Sequence, residues 1–227
     1  VKVPKSTGEN APMYIRLNLG GTALASTRDF RTWKRFGRIT CPCLDDRDVI
    51  LFPEKINGKF VLMHRPKQYV GGTFGVKYPS IWLKFSDDIL CWEDKESHLL
   101  LAGRENTWEE KLGGSAPPLK TDKGWLMLYH GVEDEGLGYY RVGCLLLDLE
   151  NPLHILGKTP DYILEPEFDY EIEGYYKGCV FPTGNVIKDG TLYVYYGGAD
   201  KYVGVATAGV DELVEYLLAH PYENGER

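Results

Sequence analysis

Three segments of this 227-residue chain repeat one pattern at a fixed interval, which narrows the architectures open to it. They read EKINGKFVLMHRP, KTDKGWLMLYHGV and VIKDGTLYVYYGGAD. Their turn glycines, Gly58, Gly124 and Gly190, are 66 positions apart in both intervals. Apolar and aromatic residues follow each glycine with the period-two spacing of a half-buried strand. A fourth copy, STGENAPMYIRLN, is irregular. We therefore predict β-hairpins that recur along the chain.

A companion pattern lies between these segments, as TALASTRDFRTWKRFG, IWLKFSDDILCWEDK, VGCLLLDLENPLHILGK and VGVATAGVDELVEY. The first two each contain a short apolar run, an acidic turn and then a tryptophan, Trp33 or Trp92. Together the two patterns describe a four-stranded unit repeated about four times. Such a repeat is more typical of a β-propeller than of a β-sandwich, so we predict an all-β propeller with about four blades present.

The repeats leave no linker, and we predict one propeller domain over residues 1–227 whose first blade is incomplete on its N-terminal side. A short helix is predicted over about residues 211–219, with Asp211 as its N-cap. The acidic segment PEFDYEIEGYY is interpreted as a solvated loop.

Charge and cysteine content exclude several functional classes. The formal net charge is -7, which argues against a nucleic-acid partner. No apolar run reaches the ~18 to 20 residues of a membrane span, so we expect no membrane partner. The five unevenly spaced cysteines fit a reducing, cytoplasmic location. Cys41 and Cys43 have no second Cys or His pair at zinc-ligand spacing, and we expect no metal.

Polar side chains occur where the predicted inner strands end, and in a propeller these ends line a central funnel. Four repeats end in different pairs: Arg16 and Asn18, His64 and Arg65, Tyr129 and His130, and Gly198 and Asp200. Two further segments place Arg47 and Asp48 before a strand and Lys111 before a glycine-rich loop. Four of these residues, Arg47, Arg65, Lys111 and His130, can carry positive charge, and Asp48 and Asp200 are carboxylates.

Several cations that converge in an acidic protein predict a local anion site. The alternative is a set of ordinary ion pairs, with Arg47 bound to Asp46 or Asp48. A serine or cysteine nucleophile is not supported, because no Gly-x-Ser-x-Gly elbow occurs and Cys179 lies in an apolar strand. The GGTFG run at 71–75 lacks the Lys-Ser/Thr pair of a phosphate loop.

Five segments in order resemble glycoside hydrolase family 130, the mannoside phosphorylases and related mannosidases. They read DRDVILFPEKINGKFVLMHRP, PSIWLKFSDDILCW, LGGSAPPLKTDKGWLMLYHGV, YRVGCLLLDLENP and VFPTGNVIKDGTLYVYYGGAD. The resemblance covers roughly residues 20–210. It implies a five-bladed β-propeller, inverting phosphorolysis of β-mannosides to mannose 1-phosphate, inorganic phosphate as co-substrate and no cofactor. A homo-oligomer is a further candidate state.

The resemblance also implies roles for individual residues. Those matched to the phosphate side of the pocket are Arg47, Arg65, Lys111 and His130. Those matched to the sugar side are Asp48, Tyr139, Phe181 and Asp200. Tyr139 and Tyr140 are adjacent, and the sequence does not decide which of them faces the pocket. The general acid of the family is an Asp in a Glu-Asp-Pro-Arg-like motif, which we expect upstream of Val1.

Two other functions stay open at this point. A hydrolase of the same family would use water in place of phosphate, and we would expect it to lose the cationic cluster. A truncated, non-catalytic sugar-binding propeller would explain a chain without the acid motif. Phosphate consumption with mannobiose separates the first from a phosphorylase.

Overall fold

The computed structural model describes residues 20–133 and 138–223, which form an all-β fold with two short helices. The predicted strand ends at Arg16 and Asn18 lie outside the described residues. The described strands make four antiparallel sheets. No helix in this part of the chain is long and apolar enough to cross a membrane.

The first two sheets follow the chain in order. The first contains β1 (Ala23–Ser26) and β2 (Lys34–Arg38). The second contains β3 (Asp46–Leu51), β4 (Phe60–Pro66), β5 (Ile81–Ser86) and β6 (His98–Leu101). Within each of these two sheets every strand pairs antiparallel with the next one along the chain, so the strands are joined by hairpins or loops.

The third sheet contains β7 (Lys111–Gly114), β8 (Leu119–Lys120), β9 (Trp125–Val132), β10 (Tyr140–Leu147) and β11 (Ile155–Lys158). Both β7 and β8 pair with β9. Helix α1 (Asp169–Ile172) precedes the fourth sheet, which contains β12 (Val180–Lys188), β13 (Thr191–Gly198) and β14 (Tyr202–Gly209). Helix α2 (Val210–Leu218) follows directly.

The predicted repeat corresponds to a structural repeat. Its three copies become β4, β9 and β13, each the second strand of its sheet order, and three companion segments supply the next strand of the order, β5, β10 and β14. Gly58 and Gly190 have φ of +78° and +75°, and Asn57 and Asp189 before them also have positive φ, as hairpin turns of this type require. At Gly124 glycine is required by packing, because a Cβ there would clash with the carbonyl oxygen of Leu147.

Neighbouring sheets pack face to face, and β9 shows how. All eight of its residues are buried. Met127 and Tyr129 belong to a core shared with the second sheet, whereas Leu126 and Leu128 belong to a core shared with the fourth sheet and α2. Because successive side chains of a strand point to opposite faces, the third sheet is covered on both sides. This packing fixes the relative positions of strand ends in three sheets.

Two local expectations are wrong. The N-cap of α2 is Gly209, so Asp211 is the second helical residue and interacts with the helix dipole instead of capping. The acidic segment is not fully solvated, since Glu171 is 1% exposed. Its carboxylate accepts hydrogen bonds from the Tyr196 hydroxyl at 2.5 Å and from the main-chain N–H of Glu167 at 2.9 Å and Phe168 at 3.1 Å.

Candidate functional site

Arg65 is the penultimate residue of β4 and faces the start of β3 across an irregular strand pair. Arg47 and Arg65 are opposite in register, and the register then shifts before Ile50. Within this bulge Asp48 has a φ of +51°, a left-handed conformation that Asp adopts more readily than most residues. The Asp48 carboxylate lies beside Arg65, with Oδ2 2.7 Å from Nη2.

The guanidinium of Arg65 is buried and keeps two donor atoms unused. Arg65 is 5% exposed, and its Nε and Nη1 have no hydrogen-bond partner among the described residues. A buried polar group left unpaired costs about 1 to 3 kcal/mol, and a charged group costs more. A guanidinium offers its donors in a planar fork that matches phosphate or carboxylate oxygens. These two nitrogens therefore mark a place suited to an oxyanion.

His130 lies on another side of the same carboxylate. Its Nε2 is 3.5 Å from Asp48 Oδ2, and its Nδ1 is 3.3 Å from the hydroxyl of Ser115. Gly113 of β7 is the register partner of His130. A Cβ at Gly113 would overlap both the Asp48 carboxylate and the His130 ring, so this approach requires glycine.

His130 is a neutral imidazole, which corrects the expectation of a fourth cation. Burial is the main cause that lowers the pKa of His130 to about 3; Asp48 raises it, and Arg65 and Lys111 lower it further. The residue is 1% exposed. At neutral pH it therefore contributes one ring donor and one ring acceptor instead of a charge.

Lys111, the first residue of β7, brings an ammonium group to the cluster. Its Nζ donates to the Tyr140 hydroxyl over 3.3 Å and lies 5.2 Å from the centre of that ring. Burial is the main cause that raises the pKa of Tyr140 to about 12, so the phenol keeps its proton at neutral pH. The pair presents a charge and a hydroxyl at one point of the site.

Aromatic rings form the neighbouring wall. The Phe181 ring, at the start of β12, lies 4.4 Å from the His130 ring and 5.9 Å from the Tyr140 ring between centroids. Tyr176 packs edge-on against Tyr140 at 5.1 Å. Such a wall offers the flat apolar surface on which the C–H faces of a sugar can pack.

The two adjacent tyrosines differ in position. Tyr140 contacts Lys111 and Phe181, as described above, and its ring centroid lies 5.6 Å from that of His130. Tyr139 instead lies against Gly178, where a Cβ would overlap its ring, and 5.8 Å from the Arg141 guanidinium. The structure thus brings Tyr140 to the cluster and leaves Tyr139 beside it, so a sugar contact by Tyr139 stays a prediction.

The charge of Asp200 acts on residues next to the aromatic wall. It lies in the turn between β13 and β14 with a φ of +56° and is exposed. Burial is the main cause that raises the pKa of Cys179 to about 12, and the charge of Asp200 raises it further. The pKa of Tyr176 is raised by burial first and then by Cys179 and Asp200. A carboxylate at Asp200 therefore lies close to the aromatic wall.

Arg47 is ion-paired with Asp45, a residue that the alternative did not name. Its Nε donates to Asp45 Oδ1 over 2.8 Å. Lys67 Nζ lies 3.5 Å from the other oxygen of Asp45. Sequence reasoning missed Lys67, because it follows β4 instead of ending it. Its position two residues after Arg65 was the available signal.

His64 stays outside the cluster although it precedes Arg65. Its Nδ1 is 3.0 Å from Asp46 Oδ2 and its Nε2 is 3.1 Å from the Ser97 hydroxyl. Adjacent strand residues point to opposite faces, so only one of the two can face the site. Within residues 20–133 and 138–223, no three His, Cys, Asp or Glu side chains are grouped to hold a metal ion.

A family model described as β-1,4-mannooligosaccharide phosphorylase, of glycoside hydrolase family 130, matches residues 16–218. The chain belongs to glycoside hydrolase family 130. The resemblance found in the sequence is thereby confirmed.

Curated family 130 relatives are phosphorylases of mannosides. A 1,2-β-oligomannan phosphorylase of Thermoanaerobacter sp. (strain X514) is 44% identical over 193 residues, which are 84% of this chain and 59% of the relative. A β-1,2-mannobiose phosphorylase of Listeria innocua is 37% identical over 196 residues, which are 86% of this chain and 52% of the relative. The chain thus spans about half the length of the curated relatives it matches.

A solved family 130 structure has the same fold. The β-1,2-mannobiose phosphorylase of Listeria innocua, in complex with β-1,2-mannobiose, superposes with a TM-score of 0.75 at 36% identity. The alignment covers 87% of this chain and 53% of that chain.

Proposed function

We propose that the protein is an inverting β-mannoside phosphorylase, which cleaves a β-mannosidic bond with inorganic phosphate and releases mannose 1-phosphate. The observation that carries this proposal is the pair of buried donors on Arg65, Nε and Nη1, which have no partner among the described residues and lie within a cluster of cations. A hydrolase that delivers water needs a carboxylate base at this place. An oxyanion nucleophile needs donors and positive charge instead.

In the proposed reaction, phosphate occupies the space beside Arg65, Lys111 and His130, with Arg47 at its edge. One phosphate oxygen attacks C1 of the mannosyl residue while the bond from C1 to the glycosidic oxygen breaks. The departing oxygen takes a proton from a general acid, for which the family resemblance predicts an Asp before Val1. No metal or organic cofactor takes part.

The sugar side of the proposed site is the aromatic wall. Phe181 and Tyr140 offer ring faces to the mannosyl C–H groups, and Asp200 offers a carboxylate to its hydroxyls. Asp48 is held by Arg65, so its proposed role is to orient that guanidinium and contact a sugar hydroxyl. Tyr139 is proposed as an outer contact. β-1,2-linked mannosides are the first substrates to test, since relatives at 44% and 37% identity are named for that linkage.

We also propose a five-bladed β-propeller for the architecture, with four blades contributed wholly or partly by the four described sheets. Support comes from the face-to-face packing of successive sheets and from the 66-residue repeat. Convergence of strand ends from three sheets on one cluster is what a propeller axis produces. We also propose a cytoplasmic location, for which the support is the odd number and uneven spacing of the cysteines in the sequence. Size-exclusion chromatography tests for the proposed homo-oligomer.

The deciding experiment incubates the intact gene product with β-1,2-mannobiose, with and without phosphate, and measures mannose 1-phosphate and mannose. We expect mannose 1-phosphate only when phosphate is present. Release of two mannoses per mannobiose without phosphate would identify a hydrolase. Binding of mannobiose with no product in either condition would identify a non-catalytic sugar-binding protein.

A further inference from the structure

Lys67 lies at the edge of the anion cluster and has no role in the set predicted from the sequence. The segment that carries it is fixed to the loop before β3. Lys67 N donates to the Asp45 carbonyl over 3.0 Å, and Asp45 N donates to the Gln68 side chain over 3.0 Å. Only 13% of the Lys67 side chain is exposed. Its ammonium group is therefore held near Arg47 and Arg65.

The carboxylate closest to Lys67 is already neutralised by another cation. Asp45 Oδ1 accepts hydrogen bonds from Arg47 Nε and from Gly20 N, each at 2.8 Å. Lys67 Nζ is 3.5 Å from Asp45 Oδ2, longer than a hydrogen bond of normal length. A simple ion pair with Asp45 does not account for placing a second, largely buried cation here.

The surrounding charges repel Lys67. Burial is the main cause that lowers the pKa of Lys67, Arg47 and Arg65 lower it further, and Asp45 raises it. Repulsion of this kind costs stability unless an anion is bound nearby. Residues with pKa values perturbed in this way often lie at functional sites, where a bound ligand offsets the cost in stability.

The net charge of the whole cluster also indicates a bound anion. The cations are Arg47, Arg65, Lys67 and Lys111, the carboxylates are Asp45 and Asp48, and His130 is neutral. The cluster has an excess of two positive charges, which would balance the two negative charges of the hydrogen phosphate dianion. Without Lys67 the excess would match only a monoanion.

We propose that Lys67 is a specificity-determining residue of the anion site, whose charge makes the site selective for a dianion such as phosphate. The proposal rests on the proposed function. Lys67 acts through the electrostatic field of the site and through Asp45, which it helps to hold against Arg47.

The test compares Lys67→Gln, Lys67→Arg and the control Lys77→Gln in the intact gene product. Lys77 lies in the same β4–β5 connection, but its side chain is 63% exposed and pairs with Glu105. We expect Lys67→Gln to raise the KM for phosphate about tenfold, which corresponds to about 1.4 kcal/mol, with the KM for mannobiose unchanged. Lys67→Arg should restore the phosphate KM, and Lys77→Gln should leave it unchanged.

A direct binding measurement keeps this inference separate from the phosphorylase proposal. Calorimetry with sulfate, a dianion, and nitrate, a monoanion, needs no turnover, and we expect Lys67→Gln to weaken sulfate binding alone. An unchanged phosphate KM and sulfate affinity in Lys67→Gln would overturn the inference. So would equal loss of phosphate and mannobiose binding together with a lower Tm, which indicates a structural role. Wild-type protein that binds sulfate but does not consume phosphate would overturn the phosphorylase proposal alone.

Discussion

The carboxylate of Asp48 lies 2.7 Å from one terminal nitrogen of Arg65, while the other terminal nitrogen and Nε of that guanidinium have no partner in the described part of the chain. Asp48 thus neutralises one side of the Arg65 guanidinium, and two donors on the rest of the group stay open in the described part of the chain. A guanidinium held in this way is preorganised for an oxyanion, because little side-chain entropy remains to be lost on binding.

Replacement of Arg65 by lysine should impair phosphate use far more than sugar binding. Lysine keeps the charge but loses the fork of donors. We expect kcat/KM for phosphate to fall about a hundredfold, which corresponds to about 3 kcal/mol of lost transition-state stabilisation. Steady-state kinetics with phosphate varied at saturating mannobiose measure this.

The control for that substitution is Arg35→Lys, at an exposed position of β2. It should retain wild-type kinetics. Wild-type phosphate kinetics in Arg65→Lys would contradict the assignment of Arg65.

His130 should make the protein less stable as the pH falls from about 6.5. Its pKa in the folded protein is about 3, below the value of 6.5 for an ordinary histidine. Between these two pH values the unfolded chain binds the proton and the folded protein does not, so the contribution of His130 is complete above pH 6.5 and declines below it. Urea denaturation at pH 7 and pH 4.5 should show a smaller difference in unfolding free energy for His130→Gln than for the wild type.

A matched variant for this test is His98→Gln, whose ring is only half-buried beside Phe85. This variant measures how far the loss of a histidine outside the site changes the pH difference. Equal pH differences in His130→Gln and the wild type would show that His130 is protonated in the folded protein.

The sequence predicts the strands of this fold better than the charges of its site. Period-two spacing and turn glycines identified β4, β9 and β13, because strand formation depends on local pattern. The meeting of Arg65, His130 and Lys111 followed from the rule that repeated strands end on one side. These inferences need only the strand pattern within each repeat and the regular interval between the repeats.

The remaining features depend on contacts between distant parts of the chain. The neutrality of His130 arises from burial among three sheets, which no local pattern reveals. Asp48 contacts Arg65 across the irregular pairing of β3 with β4. The choice of Tyr140 over Tyr139 was set by strand register, where a shift of one residue reverses every side chain.

Asp200 should contribute to mannoside affinity, and asparagine is the substitution that tests this. Asp200 has a φ of +56°, which alanine would adopt at a cost of about 1 to 2 kcal/mol, whereas asparagine accepts it readily. Asp200→Asn removes the charge without backbone strain. We expect weaker mannobiose binding by calorimetry, by about tenfold, because a carboxylate accepts stronger hydrogen bonds from hydroxyls than an amide does.

Asp189→Asn is the matched control, since Asp189 has a φ of +52° in the turn between β12 and β13. It should bind mannobiose as the wild type does. If Asp200→Asn also binds with wild-type affinity, Asp200 serves only the turn.

Glu171 should be a main source of stability for the segment that carries Tyr176 towards the site. Burial alone would raise the pKa of Glu171, but hydrogen bonds from Tyr196 and from the main chain of Glu167 and Phe168 outweigh it, and the pKa is lowered. A carboxylate with a lowered pKa stabilises the fold at pH values above about 4.5, and this stabilisation is lost as the pH falls. Glu171→Gln should therefore lower the unfolding free energy at pH 7 by about 2 kcal/mol, since an amide cannot accept at both oxygen positions.

The neighbouring Glu173 provides the control, because its side chain is 66% exposed and pairs only loosely with Lys177 at 3.8 Å. Glu173→Gln should change the unfolding free energy by less than about 0.5 kcal/mol. The difference between wild type and Glu171→Gln should shrink as the pH falls from 7 to 3, because the stabilisation from a carboxylate with a lowered pKa is lost on acidification. A destabilisation that is the same at pH 7 and pH 3 would mean that Glu171 contributes by packing, and that its charge is not what holds Tyr196 and the α1 segment together.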